Sequence, residues 1–339
     1  MSDGAKEEDV REEIRSSVKD VLQFLRRLEP GDHIEPFPPR LPEARIVNVD
    51  GRGEMFVREI PGDDGAPTIV LLHGWTLSAD LNWFSGGYEV AARHGRVIAV
   101  DMRGHGRGLR SEQPFSLEAA ADDVAALLRH LDATPAVLVG YSMGGSIGMV
   151  CAARHPDVVS GLVLASCALR WRANFYERVV WLGMGFTEYV LRFGAPRGIT
   201  DRYLRHAVEQ SPHLEGYEGW VKAEARRGDP SDIGCAAKEL AEFDASDLVD
   251  RISCPAAVVV TVRDKLIRCS RQRALAEALQ AHTVDVDGHH NAWLVLPEEW
   301  ASALDEAIEA VTASSSGAQG DPVLRGQDRP LVEARAAHG

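Results

Sequence analysis

Short apolar runs rich in β-branched residues recur through the middle of the chain, at residues 45–49, 54–60, 68–72, 97–100, 136–139, 161–165, 256–262 and 283–286. Each has the length and composition of a β-strand. The first two flank Asp50-Gly51-Arg52-Gly53 and predict an opening hairpin. From residue 68 onward helical patterns lie between the runs, as over 116–131 and 142–154, and a last one covers 297–311. Continuous apolar strands separated by helices predict an α/β architecture: a mostly parallel sheet covered on both faces. In such a sheet, reactive residues belong on loops at the C-terminal ends of the strands.

The alternation divides the chain. Residues 43–167 and 254–312 form the predicted α/β core. Between them, 168–253 holds helical patterns at 171–193, 201–210, 215–227 and 231–243 with no convincing strand, which predicts an all-helical cap over the site. Trp171, Trp181, Phe186, Tyr189, Phe193 and Trp220 enrich that insert in aromatics. Holding the cap together and touching substrate are both open to each of them. Ahead of the core, Val10, Ile14, Val18, Val21, Leu22, Leu25 and Leu28 fall on one helical stripe within 7–29. That helix packs on the domain or supplies a homodimer contact. A proline-rich connector runs to residue 42, and the tail 313–339 lacks any apolar period and reads as disordered.

Charge and cysteine content narrow the function. A formal net charge of −14 argues against nucleic acid or an anionic membrane as the main partner. Five cysteines without a Cys-x-x-Cys pair suit a reducing cytoplasm and no zinc site. Neither a signal-peptide pattern nor an apolar run of membrane-spanning length is present, so a soluble cytoplasmic protein is expected.

The chemistry concentrates at Gly140-Tyr141-Ser142-Met143-Gly144, where a buried strand gives way to a helix. Gly-x-Ser-x-Gly in that context is a nucleophile elbow, with the serine on a strained turn and its hydroxyl projecting above the strand end. A serine hydroxyl near pH 7 needs a histidine to take its proton and a carboxylate to orient the histidine. Asp264 follows the 256–262 strand and stands in the required order after the serine. Two histidines, His289 and His290, follow the last strand. Neighbours on an extended loop point in opposite directions, so only one can face Ser142. The oxyanion hole calls for two backbone N–H groups, those of Met143 and, after His73-Gly74, of Trp75. Trp75, Tyr141 and Trp293 are the expected substrate-binding side chains. His73 is read as a brace for its loop. The stretch Asp101-Met102-Arg103-Gly104-His105-Gly106-Arg107-Gly108 is read as scaffold supporting the site floor, with neither metal-ligand spacing nor a dinucleotide fingerprint around it.

Together these residues resemble the α/β-hydrolase-fold serine hydrolases, in the esterase/lipase-like group with a helical cap. The likeness runs from about residue 45 to 311 and rests on His73-Gly74-Trp75, Asp101-x-Arg-Gly-His-Gly, the elbow, Arg263-Asp264 and the loop from Gly288 to Pro297. In that family the catalytic histidine usually precedes the proline by seven residues, which favours His290; a glycine directly before the histidine favours His289. The resemblance implies acyl transfer through an acyl-enzyme on a small, apolar carboxylic ester, with no cofactor. The same triad also serves thioesters, lactones, C–C cleavage or perhydrolysis on this fold, and a ligand-binding receptor is the rival from another class. Aspartate-nucleophile chemistries are disfavoured by Ser142.

Overall fold

The computed structural model describes residues 38–171 and 214–318. The expected helices at 7–29 and 201–210, residues 172–193 with Trp181, Phe186, Tyr189 and Phe193 of the insert, and the tail after 318 lie outside them.

All eight expected strands form, in one sheet: β1 (Glu43–Val49), β2 (Gly53–Ile60), β3 (Thr68–Leu72), β4 (Arg96–Val100), β5 (Ala136–Tyr141), β6 (Val159–Ala165), β7 (Ala256–Thr261) and β8 (His282–Val286). Their spatial order is β1-β2-β4-β3-β5-β6-β7-β8. β2 pairs antiparallel with β1 and β4, and all other pairs are parallel. Leu72 pairs with Gly140, Tyr141 with Ala165, and Thr261 with Val286. The loops after β3, β5, β6, β7 and β8 therefore leave the sheet side by side.

The described helices are α1 (Ala79–Trp83), α2 (Gly87–Ala92), α3 (Leu117–His130), α4 (Met143–Arg154), α5 (Glu218–Ala225), α6 (Pro230–Glu242), α7 (Cys269–Leu279), α8 (Ala292–Val295) and α9 (Pro297–Ala318). Four of them, α1, α2, α7 and α8, add to the sequence reading. Three are too short to show a period, and α7 buries only Gln272, Leu275 and Ala276. In α3 the Ser116 hydroxyl caps the N-terminus by accepting from Ala119 N at 3.1 Å, and Arg129 and His130 sit in the last turn, where the helix dipole favours positive charge.

Strand alternation splits the core in two. Val70, Leu72, Leu138, Leu164 and Val258 face α3, α4 and α7. Ile69, Leu71, Val137, Val139 and Val259 face the other side, where α9 lays down Trp300, Ala303, Leu304, Ala307, Ile308 and Val311 at helical spacing. The apolar period ends at Val311, but the helix runs on to Ala318. Backbone bonding carries it past the last buried position, with Thr312 and Ser314 hydroxyls donating to the carbonyls of Ile308 and Ala310 at 2.9 and 2.8 Å. The disordered tail expected from residue 313 is thus helical at its start.

Two insert helices are described: α5 lies within the expected span 215–227, and α6 starts one residue ahead of the expected 231–243. α6 is capped by Asp229, carries Pro230 in its first turn and buries Ile233, Ala236 and Leu240. α5 is seated by charge. Buried Glu224 accepts from Ser78 Oγ at 3.0 Å and pairs with Arg107 and Arg227. Arg107 also reaches Asp101, which accepts from the N–H groups of Ala79 and Arg107 at 2.7 Å each. The Asp101–Gly108 stretch, expected as scaffold under the site, is also the dock for the insert: Asp229 N donates to Gly104 O at 2.7 Å. Trp171 and Trp220 are both packed inside. Trp171 donates to Ser146 Oγ at 2.9 Å, and the Trp220 ring meets Phe84 edge-on.

α4 lies in close contact with the strands beneath it. A Cβ at Gly140 would stand 2.5 Å from the Gly144 backbone, whereas one at Gly234, on the exposed side of α6, would meet nothing within 4 Å. Gly140→Ala should therefore lower stability by about 3 kcal/mol, while Gly234→Ala should raise it by up to about 1 kcal/mol through helix propensity. Urea denaturation of the two variants reads the contrast; equal midpoints would contradict it.

Candidate active site

At the end of β5 the chain turns through Ser142, whose φ of 53° and ψ of −114° are adopted by few residues other than glycine. Three backbone bonds hold it there. Its N–H donates to Ala165 O on β6 at 2.9 Å, and its carbonyl accepts from Gly145 N at 2.9 Å and Ser146 N at 3.3 Å. A Cβ at Gly144 would stand 2.1 Å from Leu72 O, so the helix can start this close to β3 only without one.

The row of loops brings three side chains into a chain of contacts. Ser142 Oγ lies 3.1 Å from His290 Nε2, and His290 Nδ1 lies 2.8 Å from Asp264 Oδ2. Asp264 is buried, and its Oδ1 accepts from the N–H groups of Leu266 and Ile267 at 2.8 and 2.9 Å. An ionised carboxylate only accepts, so the Nδ1 proton of His290 points at Asp264 and the Nε2 lone pair faces the Ser142 hydroxyl. His289 is exposed, and among the described residues only its carbonyl is engaged, by Ala292 N at 3.0 Å. Asp285 and Asp287 lie apart from this chain, paired at the surface with Arg273 and Arg263.

Two expected substrate contacts are corrected. Tyr141 is 3% exposed and Trp293 5%, both within the apolar core on the α9 side of the sheet. Strand pleating turns residue 141 toward that face, opposite Gly140. The Tyr141 hydroxyl donates to His290 O at 2.5 Å, so Tyr141 supports the histidine loop from beneath. Burial pushes its phenol well above the usual value and keeps it a neutral donor. Trp75 is half-buried, and its indole donates to Ile233 O of α6 at 2.9 Å, tying its loop to the insert. Because Leu72 pairs with Gly140, the backbones of Trp75 and Met143 each lie three residues beyond one paired position. Met143 is also the first residue of α4, where N–H groups have no acceptor within the helix.

A family model described as "alpha/beta hydrolase fold" matches residues 67–294. The chain belongs to the α/β-hydrolase-fold family. Among its relatives, the pimeloyl-[acyl-carrier protein] methyl ester esterase of Chromobacterium violaceum is 31% identical over 72% of this chain and 94% of its own. The enzyme of the same name from Neisseria meningitidis serogroup A is 29% identical, over 75% of this chain and 80% of its own. Among solved structures, a thermophilic esterase from Thermogutta terrifontis superposes with a TM-score of 0.63 at 25% identity, covering 79% of this chain and 99% of its own.

In this α/β-hydrolase, His73 braces the β3 loop, as its sequence position suggested. Its Nε2 accepts from Met102 N at 2.9 Å, so Nδ1 carries the proton and donates to Gly74 O at 2.8 Å. Burial pulls its pKa down to about 4 and keeps the ring neutral. An unfolded chain binds that proton near pH 6.5. Between the two values the unfolded state holds more protons, so this contribution to stability is present above pH 6.5 and is lost as the pH falls toward 4. Between pH 7 and 5 the loss is about 2 kcal/mol. Chemical denaturation at both pH values should show this decline in the wild type and a shallower one in His73→Gln; equal declines would contradict it.

Proposed function

We propose that this α/β-hydrolase is a carboxylic ester hydrolase working through an acyl-enzyme on Ser142. The observation that carries the reading is the 3.1 Å contact of Ser142 Oγ with His290 Nε2 on a serine held at φ 53°. His290 takes the hydroxyl proton as Oγ attacks the ester carbonyl carbon. The charge that develops on the carbonyl oxygen is received by the N–H groups of Met143 and Trp75, with the N-terminus of α4 adding its dipole. His290 returns the proton to the departing alkoxide. Water then gives a proton to the same nitrogen as it attacks the acyl carbon, and His290 passes that proton to Ser142 Oγ as the acyl–oxygen bond breaks and the acid leaves. Asp264 stays ionised and balances the imidazolium that forms at each step. The scheme uses a proton relay and water and no cofactor.

The relatives named as methyl ester esterases support an ester, with a small leaving alcohol, over other acyl bonds. A small, apolar acyl substrate in the cytoplasm completes the reading. Among the described residues no helix is long and apolar enough to cross a membrane.

Hydrolysis of p-nitrophenyl esters from acetate to octanoate, beside simple methyl esters, tests both chemistry and acyl length. Ser142→Ala and His290→Ala should each lower kcat by roughly a thousandfold or more, whereas His289→Ala should stay within a few-fold of wild type. A Ser142→Ala protein turning over within tenfold of wild type would overturn the assignment. So would equal losses at the two histidines.

A further inference from the structure

Behind Asp264 lies a second layer of polar side chains for which acyl transfer by Ser142, His290 and Asp264 has no direct use. Thr261, the last residue of β7, and Gln272, on the inner face of α7, are both fully buried. A primary amide in an apolar core costs stability unless every polar atom finds a partner. Here each one does, and the partners fix the orientation of the amide.

The Thr261 backbone N–H can only donate, and it meets Gln272 Oε1 at 3.0 Å. The Ile267 carbonyl can only accept, and it meets Gln272 Nε2 at 2.7 Å. The amide therefore has one orientation. Its second N–H is directed at Thr261 Oγ1, 2.9 Å away. Ser166, at the end of β6, also reaches that oxygen, at 3.2 Å. Three acceptors lie within reach of the Thr261 hydroxyl proton. Asp264 Oδ2, at 2.9 Å, is nearer than Ser166 Oγ, at 3.2 Å, or Gln272 Oε1, at 3.3 Å, and carries the charge, so the hydroxyl donates there. The carboxylate then receives Leu266 N and Ile267 N on Oδ1 and Thr261 Oγ1 and His290 Nδ1 on Oδ2, with Gln272 Nε2 also 3.2 Å from Oδ2.

Resting on the acyl-transfer reading above, we propose that Thr261 and Gln272 are positioning residues for that reaction. The directed chain Gln272→Thr261→Asp264 holds Oδ2 against His290 and so fixes the tautomer that presents Nε2 to Ser142. Without the Thr261 hydroxyl, Oδ2 keeps only His290 Nδ1 and the longer 3.2 Å contact from Gln272 Nε2, and the carboxylate is held less firmly about its terminal torsion. His290 then loses its alignment, while the substrate-facing surface is unchanged.

The test uses the full chain with p-nitrophenyl butyrate as probe. Thr261→Val, which replaces the hydroxyl by a methyl group, should lower kcat about tenfold with KM within twofold. It should also weaken or shift the downfield proton resonance of His290 Nδ1–H. Thr261→Ser, which restores the hydroxyl, should recover most of kcat and the resonance. A Thr261→Val protein with wild-type kcat and an unchanged resonance overturns the proposal. Equal losses in Thr261→Val and Thr261→Ser also overturn it, because they would mark a packing role. Ser142→Ala, measured in parallel, separates the two readings: its full retention of activity sinks the acyl-transfer scheme itself, whereas its loss beside an unaffected Thr261→Val sinks only the positioning role.

Discussion

The close approach of helix Met143–Arg154 to strands Thr68–Leu72 and Ala136–Tyr141 is the constraint on which the rest of the site depends. The helix begins so near the sheet that Gly140 faces the backbone of Gly144, and Gly144 faces the carbonyl of Leu72. That proximity forces Ser142 into a backbone region costing on the order of 1–3 kcal/mol. The cost is offset by apolar burial on both faces of the sheet and by the bond from Ser142 N to Ala165 O. In return the hydroxyl stands clear of the strand end, and the first N–H groups of the helix lie beside it. A looser turn would relieve the strain, but it would carry the serine away from the loop bearing His290.

The histidine is held with equal definition. Its side chain spans Ser142 and Asp264, and its carbonyl accepts the Tyr141 hydroxyl. Tyr141 is the residue before the serine, so one two-residue stretch of β5 and its turn grips His290 by backbone and by side chain. Displacing the turn would disturb both contacts together.

Much of this was legible in the sequence because it depends on local chemistry. All eight strands were marked by apolar runs, and Ser142, Asp264 and the histidine pair were marked by motif and order. Between the two histidines the family's proline spacing favoured His290, with His289 the alternative, since both lie on one loop and the local residues do not say which faces inward. The His290 ring stands 3.1 Å from Ser142 Oγ. Tyr141 and Trp293 were misread as substrate contacts because proximity in sequence to a reactive residue says nothing about the direction of a pleat. Thr261 and Gln272 gave no signal. A threonine ending a strand and a glutamine in a polar helix are ordinary, and their role exists only where β7 and α7 bring them to Asp264.

Charge is used in the same way at the border between core and insert. Arg58 meets both oxygens of Asp80 at 2.8 Å, and Arg107 links Asp80 and Asp101 to Glu224. Buried ion pairs add little net stability over apolar packing, yet removal of one partner strands the others and costs about 3–5 kcal/mol. A network of this kind therefore makes partial seating of α5 unfavourable. The Trp75 indole bond to Ile233 O extends that seating to the loop that would supply the second oxyanion N–H. Insert and oxyanion loop are thus fastened to one another as well as to the sheet. The loop beside Ser142 is held by the insert as well as by the sheet.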